Sequence, residues 1–399
     1  MTTHETADAN PERSYLQPHN PRLNDSQRIA SPSANPLVEE AKLRAGRAFV
    51  EFSQLETVRV DGEDRLKWLN NLSTAPFITL QPGESREGLI LDSEGRILHA
   101  FAAVESEDAT FLLTDVGRAQ PLADFLESMK FMMKVSIAVQ PVRVFATLLQ
   151  QSHLPSAALA GAMYVWEDSW PQVSSGGTHY GRDDAAHPAR GVHRSLLVTD
   201  TEHASAVAAA LIAAGLTPVG VQAWEAARIV DRRPRPNTEV IDGGVLPHEL
   251  DWLRTAVWLN KGCFPGQETV SKVVNMGKPP RRLVFLYLEG PDGDLPERGA
   301  AVSLEGKQVG VLTSVALDYE QGAVALALVK RTVPLEAVLT IEGGQGIGDG
   351  SGFVASQDMI VDPNGKSAAS PAENPARVLR RARAGLAANQ KPQPHHTRG

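Results

Sequence analysis

The residues best suited to chemistry lie in one short run, Lys261-Gly262-Cys263-Phe264-Pro265-Gly266-Gln267-Glu268. It contains the only cysteine of the 399 residues. A neighbouring ammonium group such as that of Lys261 favours the thiolate, which is the reactive form of cysteine. The glycines at 262 and 266 predict a sharply bent loop with little side-chain cover. The run therefore favours an accessible, reactive thiol, although a small buried cysteine in a loop explains the same residue types equally well.

The other residues of this run leave two interpretations open. Gln267 and Glu268 offer an amide and a carboxylate to a bound ligand, but they fit equally well as caps for the backbone N–H groups of the segment that follows. One cysteine cannot form an intramolecular disulfide and cannot supply a multi-cysteine metal site. We therefore expect no metal centre.

Lys-Gly-Cys-aromatic-x-Gly-Gln-Glu resembles the signature of the YgfZ-type folate-binding proteins. These proteins are relatives of the T-protein (aminomethyltransferase) of the glycine cleavage system. Weaker patterns extend the resemblance over roughly residues 45–360, in the order that the family has them. They are Gly62 with residues 69–74 and Pro82-Gly83, then residues 224–229, residues 247–249, Arg281-Arg282 and residues 310–314.

The resemblance implies an α+β fold, with a T-protein-like composite folate-binding body followed by a C-terminal antiparallel β-barrel. It also implies tetrahydrofolate or a one-carbon derivative as the cofactor, bound in a central cavity. Such a site needs polar groups for the pterin edge, apolar walls and basic residues for the glutamate tail. The residues expected to bind the cofactor are Trp224, Glu225, Arg228, Glu249, Lys261, Gly262, Phe264, Gly266, Gln267 and Glu268.

Several of these residue types have structural explanations as well. Trp224 and Trp252 are typical of a protein core as much as of a ligand-binding wall. An arginine such as Arg228 often lies on a solvated face or in an ion pair. The same alternatives apply to a tight cluster of basic residues that follows, Arg232, Arg233 and Arg235.

The chain departs from the T-protein pattern on the second strand of a predicted hairpin. T-proteins carry an acidic residue there, in a Gly-x-x-x-Asp-Asp pattern, and that residue assists aminomethyl transfer. The equivalent run begins at Gly95, and His99 and Ala100 stand in place of the carboxylates. An imidazole cannot supply the charge stabilisation of a carboxylate. This replacement argues against transferase activity, and the sequence leaves open whether the chain is an enzyme.

Three functions remain as hypotheses. The first is a folate-binding accessory protein that supports iron–sulfur cluster assembly or repair, including that of tRNA-modifying enzymes. The family is implicated in this process, and Cys263 would then serve as a redox or cluster-transfer thiol. Its partners would be folate and iron–sulfur proteins or assembly factors. The second hypothesis is a folate-dependent aminomethyltransferase, and the third is a non-catalytic interaction protein that has lost folate.

Composition and charge indicate which partners and which cellular compartment to expect. The net charge of −8 argues against direct nucleic-acid binding. A single cysteine fits a reducing compartment. The first residues lack the basic start and apolar core of a signal peptide, and no apolar run reaches the roughly 20 residues that span a bilayer. We therefore expect a cytoplasmic protein without a membrane segment.

The chain divides into four segments. Residues 1–43 and 363–399 are polar and rich in proline, which predicts disordered tails, the second of them basic. Residues 44–277 are expected to form the folate-binding body, with a ferredoxin-like unit at roughly 134–220 and the signature loop at 261–268. Short strands at regular spacing over residues 278–362 predict the barrel.

Overall fold

The computed structural model describes residues 35–52, 54–291, 294–342 and 352–372. These residues form two five-stranded sheets, a closed six-stranded barrel and short helices between them. The architecture confirms the predicted α+β fold with a C-terminal antiparallel barrel. Within the described ranges, no helix is long and apolar enough to cross a bilayer.

The body alternates strands with short helices. Its elements are α1 (Pro36–Arg44), β1 (Ala48–Glu51), β2 (Leu55–Asp61), α2 (Arg65–Leu72), β3 (Ser85–Leu91), β4 (Ile97–Glu105), β5 (Ala109–Asp115), α3 (Ala119–Ser128), β6 (Ser136–Gln140), β7 (Arg143–Thr147), α4 (Ser156–Ala160), β8 (Tyr164–Glu167), β9 (Ser195–Thr199), α5 (Ala204–Ala213), β10 (Thr217–Val219), α6 (Val221–Val230), α7 (Pro236–Glu239) and α8 (Gln267–Asn275). Short 3₁₀ helices cover Gln151–His153 and Pro247–Leu250. The barrel strands are β11 (Arg281–Glu289), β12 (Ala301–Leu304), β13 (Lys307–Asp318), β14 (Gly322–Lys330), β15 (Leu339–Ile341) and β16 (Phe353–Met359).

The first sheet has the strand order β3-β4-β5-β2-β6, and every neighbouring pair is antiparallel. Successive residues of a strand point to opposite faces. Ala103 and Leu112 therefore pack against α2 and α3 on one face. Phe111 and Leu113 point the other way and share a core with the second sheet. This face-to-face packing leaves room for a cavity between the sheets.

The second sheet has the order β10-β1-β7-β9-β8, with β10 and β1 parallel and the other pairs antiparallel. It corrects the boundary predicted for the ferredoxin-like unit at residues 134–220. β6 lies inside that range but pairs with β2 in the first sheet, whereas β1 lies outside it and pairs with β7. Strand pairing depends on long-range packing, which the local pattern around β6 does not encode.

The barrel runs β11-β14-β13-β12-β15-β16 and closes on itself. The sequence predicts strands at 282–288, 300–304, 307–315, 322–328 and 337–341, which correspond to β11–β15. It does not predict β16, which pairs with both β11 and β15. Phe353 and Ala355 point into the barrel core, while Ser356 and Gln357 interrupt the apolar run that marks a strand. The barrel packs on the body through a shared core that includes Phe264 and Phe285.

The folded structure extends into both of the predicted tails, over residues 36–43 at one end and 363–372 at the other. Helix α1 lies within the predicted tail 1–43, where its polar composition hides it. Its Arg44 donates to Asp231 Oδ1 (2.9 Å), and its Glu39 accepts from the backbone N–H of Gly220 (2.9 Å). At the other end, residues 363–372 fold back on the body, where the Ala368 N–H donates to the His179 carbonyl (2.9 Å). The rest of each predicted tail, residues 1–34 and 373–399, lies outside the described residues.

A buried carboxyl pair joins α1 to the barrel. Glu40 is fully buried beside Asp318, and its Oε2 accepts from the Tyr319 N–H (3.1 Å). Burial, followed by the hydrogen bond and charge of Asp318, raises the pKa of Glu40 from 4.5 to about 8, against the opposing charge of Arg44. Glu40 is therefore expected to keep its proton to a higher pH in the folded chain than in the unfolded chain.

The contribution of Glu40 to the stability of the folded chain is expected to fall as the pH rises from about 4.5 to 8. In this window the folded state keeps a proton on Glu40 that the unfolded state has released, so each pH unit costs up to about 1.4 kcal/mol. Glu40→Gln keeps a polar amide at the site but removes the titration. Urea unfolding of this variant should show increasing stability relative to wild type as the pH rises, with Glu127→Gln at an exposed site as the control. Parallel pH profiles for wild type and Glu40→Gln would contradict the assignment.

Candidate ligand-binding site

A cavity lies between the two sheets and is closed on one side by the segment that follows α6. Its volume is about 110 Å³, which is smaller than the roughly 300–1,000 Å³ of most small-molecule sites, so a ligand of that size would extend through its open side. The two tryptophans that the sequence left between core and ligand wall both line it. Its main apolar walls are Phe52, Leu113, Trp166, Leu196, Trp224 and Trp252.

Charged side chains also line this cavity. The four arginines outnumber the carboxylates by one, so the lining as a whole favours a ligand with hydrogen-bond acceptors. They are Arg194, Arg228, Arg233 and Arg235, with Glu87, Asp115 and Asp168. Of the basic cluster that the sequence singled out, Arg233 and Arg235 line the cavity and Arg232 does not. All three form ion pairs, which was one of the two structural alternatives.

Two carboxylates hold Arg233 in the cavity wall. Its Nη2 donates to Glu87 Oε1 (2.6 Å) and its Nε to Asp168 Oδ2 (2.9 Å). Burial lowers the pKa of Arg233, but the charges of Asp168 and Glu87 outweigh burial and raise it above its ordinary value. The guanidinium lies 5.9 Å from the ring centroid of Trp252, so it stays charged against an aromatic wall.

Glu225 does not line the cavity, although the sequence predicts that it binds the pterin. Its carboxylate accepts from Arg228 Nη2 (2.9 Å) and Arg235 Nη1 (3.1 Å). Burial raises the pKa of Glu225, but the two arginines outweigh burial and lower it below its ordinary value. Glu225 therefore holds two lining arginines in place.

Arg228 lines the cavity as predicted, but all of its nitrogen atoms are engaged. Besides Glu225, it donates to the Arg233 carbonyl (2.8 Å), to Glu239 Oε2 (3.2 Å) and to Ser314 Oγ (2.7 Å). Ser314 lies on barrel strand β13, so this one buried guanidinium joins the body to the barrel. Its main role in the structure is to hold the two parts together.

Glu249 is predicted to bind the cofactor, but in the structure it pairs with Arg281 outside the cavity. Its carboxylate is fully buried and accepts from Arg281 Nε (2.8 Å), Arg281 Nη2 (2.8 Å), the Arg281 N–H (3.1 Å) and the Leu246 N–H (2.9 Å). Four donors saturate it, and it does not line the cavity. Glu249 therefore fixes the first barrel strand to the body.

The signature loop, residues 261–268, lies apart from the cavity lining. Phe264 is buried in the core that the body and the barrel share. Gln267 Nε2 donates to the Lys261 carbonyl (3.3 Å) across the loop. Gly266 has a φ of +77°, and a Cβ there would lie 2.6 Å from the Asp92 carbonyl oxygen in the β3–β4 turn. Phe264, Gly266 and Gln267, which the sequence predicts to bind the cofactor, thus shape the loop and do not line the cavity.

Of the remaining loop residues, Gly262, Cys263, Pro265 and Glu268 face solvent, whereas Lys261 is half-buried. Cys263 is exposed, which contradicts the buried-cysteine explanation. Lys261 Nζ is buried, lacks a hydrogen-bond partner in the part of the chain that the structure describes, and lies 5.2 Å from the Phe264 ring centroid. Burial lowers the pKa of Lys261 to about 8, against the opposing charge of Cys263. Glu268 is exposed in the first turn of α8, where a negative charge stabilises the helix.

The loop therefore presents an accessible thiol beside a weakly basic amine. Gly262, between them, has no positive φ, and a Cβ there would meet no atom within 4 Å. Across the described ranges, no group of three His, Cys, Asp or Glu residues is placed to hold a metal ion.

Two glycine substitutions should separate the structural part of this loop from its exposed part. Gly266→Ala is expected to destabilise the fold by about 2 kcal/mol or more, because it places a Cβ at positive φ against backbone. Gly262→Ala should stay within about 0.5 kcal/mol of wild type. Thermal and urea unfolding measure both. Equal effects of the two substitutions would contradict the loop geometry.

His99 and Ala100 lie on opposite faces of β4. Ala100 lines the cavity, whereas the His99 ring packs beside Phe125, with 5.3 Å between ring centroids. Burial, and then the charge of Arg118, lowers the pKa of His99 to about 3, so its imidazole is neutral. The cavity thus presents a methyl group where the T-protein pattern predicts a carboxylate.

Sequence reasoning missed four charged lining residues, Glu87, Asp115, Asp168 and Arg194. The sequence could have indicated Glu87, because it precedes the apolar residues of strand β3 and a buried carboxylate needs a buried partner. Asp168 and Arg194 flank the polar stretch between β8 and β9, which has no periodicity from which to place them. Only the fold brings them together.

Comparison with known proteins shows which sequences and folds this chain resembles. No protein-family model matches the chain. A chloroplastic protein of Arabidopsis thaliana, provisionally named a transferase, is 27% identical over 281 residues, covering 67% of this chain and 62% of that protein, so the match spans less than two thirds of its length. An aminomethyltransferase of Rippkaea orientalis is 26% identical over 336 residues, covering 77% and 86%. The tRNA-modifying protein YgfZ of Colwellia psychrerythraea is 23% identical over 249 residues, covering 61% and 72%.

Among solved structures, the fold is similar to that of glycine cleavage system aminomethyltransferase T from Bartonella henselae. The TM-score is 0.59 at 20% identity, covering 82% of this chain and 89% of that one. Together these comparisons confirm the predicted resemblance to the YgfZ and T-protein group, and the structural match confirms its fold.

Proposed function

We propose that this chain binds tetrahydrofolate or a one-carbon derivative in the cavity between its two sheets. The observation that carries the proposal is the cavity itself, which combines aromatic walls with buried arginines in a T-protein-like fold. Trp224 and Trp252 offer flat apolar surfaces to the pterin and benzoyl rings. The lining arginines offer donors to oxygen atoms of the ligand.

The lining favours binding without aminomethyl transfer. Ala100 cannot stabilise charge, and each carboxylate of the lining is already bonded. Glu87 accepts from Arg233 and Thr255, Asp168 accepts from Arg233, and Asp115 accepts from Arg235. A carboxylate committed to a buried partner is not free to accept a proton from a substrate.

A folate-dependent aminomethyltransferase remains the second candidate, because one relative bears that name. Tetrahydrofolate-dependent release of ammonia from an aminomethyl donor distinguishes the two. We expect no turnover above that of buffer, and steady turnover would reverse the order of the two candidates.

The accessory role that we propose is support of iron–sulfur cluster assembly or repair, including that of tRNA-modifying enzymes. Its supports are the exposed thiol of Cys263 beside the buried amine of Lys261 and the similarity to a protein named for tRNA modification. The partners would be iron–sulfur proteins or assembly factors. A single exposed cysteine fits a reducing compartment such as the cytoplasm.

Cys263→Ala is expected to keep the fold and abolish the support of iron–sulfur enzymes in cells. The thiol is exposed, so its loss should change stability by no more than about 0.5 kcal/mol. Complementation of a strain that lacks the gene measures the effect, with Ser271→Ala on the adjoining helix as the control. Full complementation by Cys263→Ala would remove the thiol from the mechanism.

Calorimetric titration of the purified protein with tetrahydrofolate tests the binding claim. We expect a Kd on the order of micromolar in both wild type and Cys263→Ala, because the cysteine lies outside the cavity. Absence of binding in both proteins would favour an interaction protein that has lost folate.

A further inference from the structure

One end of the cavity carries hydrogen-bond donors without partners. Arg194 and Arg233 are 4% and 7% exposed, and Trp252 is 1% exposed. Within the described ranges, Arg194 Nη1, Arg233 Nη1 and Trp252 Nε1 are buried and bond to no acceptor. All three side chains line the cavity. Buried donors are rarely left unpaired in proteins, because losing water without a replacement is costly.

Connected contacts place these donors at the same end. The Arg233 guanidinium lies against the Trp252 ring and bonds to Asp168. The Asp168 backbone N–H in turn donates to the Arg194 carbonyl (2.9 Å). Arg194 Nη2 bonds to Asp231, and the Asp231 carbonyl accepts from Trp170 Nε1 (2.9 Å), whose ring faces Arg233 at 5.3 Å.

The acceptors at this end are already in use. Glu87 and Asp168 are held by Arg233, and Asp231 is held by Arg194 and Arg44. No oxygen atom of these three carboxylates is buried without a partner, whereas three nitrogen atoms are. This end of the cavity therefore lacks a hydrogen-bond acceptor. A ligand that offers only donors would leave the three nitrogen atoms unpaired.

We propose that Arg194, Arg233 and Trp252 form a donor subsite that holds an acceptor oxygen of the cavity ligand. The inference rests on the proposed folate binding and names the chemistry by which this chain selects its ligand. In a folate, two groups supply such an oxygen, the 4-oxo group of the pterin and the carboxylates of the glutamate tail. Each arginine has Nη1 without an acceptor while Nη2 is held by a carboxylate, so each donor of the subsite would supply one hydrogen bond.

Four probes distinguish the two sources by calorimetry: tetrahydrofolate, its 4-amino analogue, 6-methyltetrahydropterin without the tail, and p-aminobenzoylglutamate without the pterin. The key variant is Arg194→Lys, which keeps a cation beside Asp231 but loses the Nη1 donor. Arg143→Lys at an exposed site is the control, and the unfolding midpoint monitors the fold.

We expect Arg194→Lys to weaken tetrahydrofolate binding about 10-fold or more, as loss of a charged hydrogen bond does. If the 4-oxo group occupies the subsite, the 4-amino analogue binds wild type about 10-fold more weakly than tetrahydrofolate, and Arg194→Lys removes that preference. If the tail occupies it, p-aminobenzoylglutamate binds wild type and loses affinity in Arg194→Lys, while 6-methyltetrahydropterin is unaffected.

Tetrahydrofolate affinity within twofold of wild type in folded Arg194→Lys would overturn the subsite and leave folate binding intact. An equal loss in Arg143→Lys would also overturn it. Absence of binding by all four probes to wild type would overturn the folate proposal together with this inference. The wild-type preference for the 4-oxo compound needs no variant, so the subsite remains testable if Arg194→Lys fails to fold.

Discussion

Arg228→Met is expected to destabilise the folded chain by about 3–5 kcal/mol, the usual cost of removing one partner from a buried ion-pair network. The substitution leaves Glu239 fully buried without its arginine and removes the bond to Ser314 on the barrel. Burial lowers the pKa of Arg228, but Glu225 and Glu239 outweigh burial and raise it above its ordinary value. The charge is therefore permanent, and methionine cannot replace it.

Urea unfolding at neutral pH measures this loss. Arg143→Met is the matched control, because Arg143 is exposed and, among the residues that the structure describes, pairs with Glu51 alone (3.3 Å). Its loss should cost no more than about 1 kcal/mol. Unchanged stability of Arg228→Met together with weakened folate binding would show that Arg228 is a ligand-binding residue first and a structural residue second.

Ala100→Phe is expected to abolish folate binding, with an affinity loss of about 100-fold or more, equivalent to about 3 kcal/mol. The Ala100 methyl group lines the cavity, so a phenyl ring at this position occupies the space that the ligand needs. Because the ring enters existing empty space, the cost to folding should stay below about 3 kcal/mol. Circular dichroism and thermal unfolding check that the variant folds.

Ala138→Phe controls for the added ring. Ala138 is exposed on edge strand β6 and does not line the cavity. The same substitution there should leave folate affinity within about twofold of wild type. A large loss in both variants would point to a general effect on folding.

Local sequence patterns predict much of the fold. Apolar runs on either side of Ser93-Glu94-Gly95 predict a hairpin at residues 88–101, which β3 and β4 form over residues 85–105. The barrel follows from short strands between glycine-containing turns. β16 and α1 escape prediction because their polar residues face partners that only the tertiary structure supplies. Glu40 beside Asp318 is the clearest case, since the sequence places them 278 residues apart.

The predicted binding residues do not lie together in one site. The signature run suggests one site around Cys263, whereas the structure separates an exposed loop from an enclosed cavity. Trp224 and Arg228 are predicted and do line the cavity. Glu249 has the right chemistry for a ligand, but Arg281 takes up its carboxylate from across the chain. Sequence shows which residues can bind a ligand, but the long-range ion pairs decide which of them remain free.

The central claim is that the cavity between the sheets binds folate. Calorimetric titration of wild type, Ala100→Phe and Ala138→Phe with tetrahydrofolate tests it most directly. The account predicts one site per chain with a Kd on the order of micromolar in wild type and Ala138→Phe, and no detectable binding in folded Ala100→Phe. Equal affinity in all three proteins would place the folate site elsewhere and contradict the account.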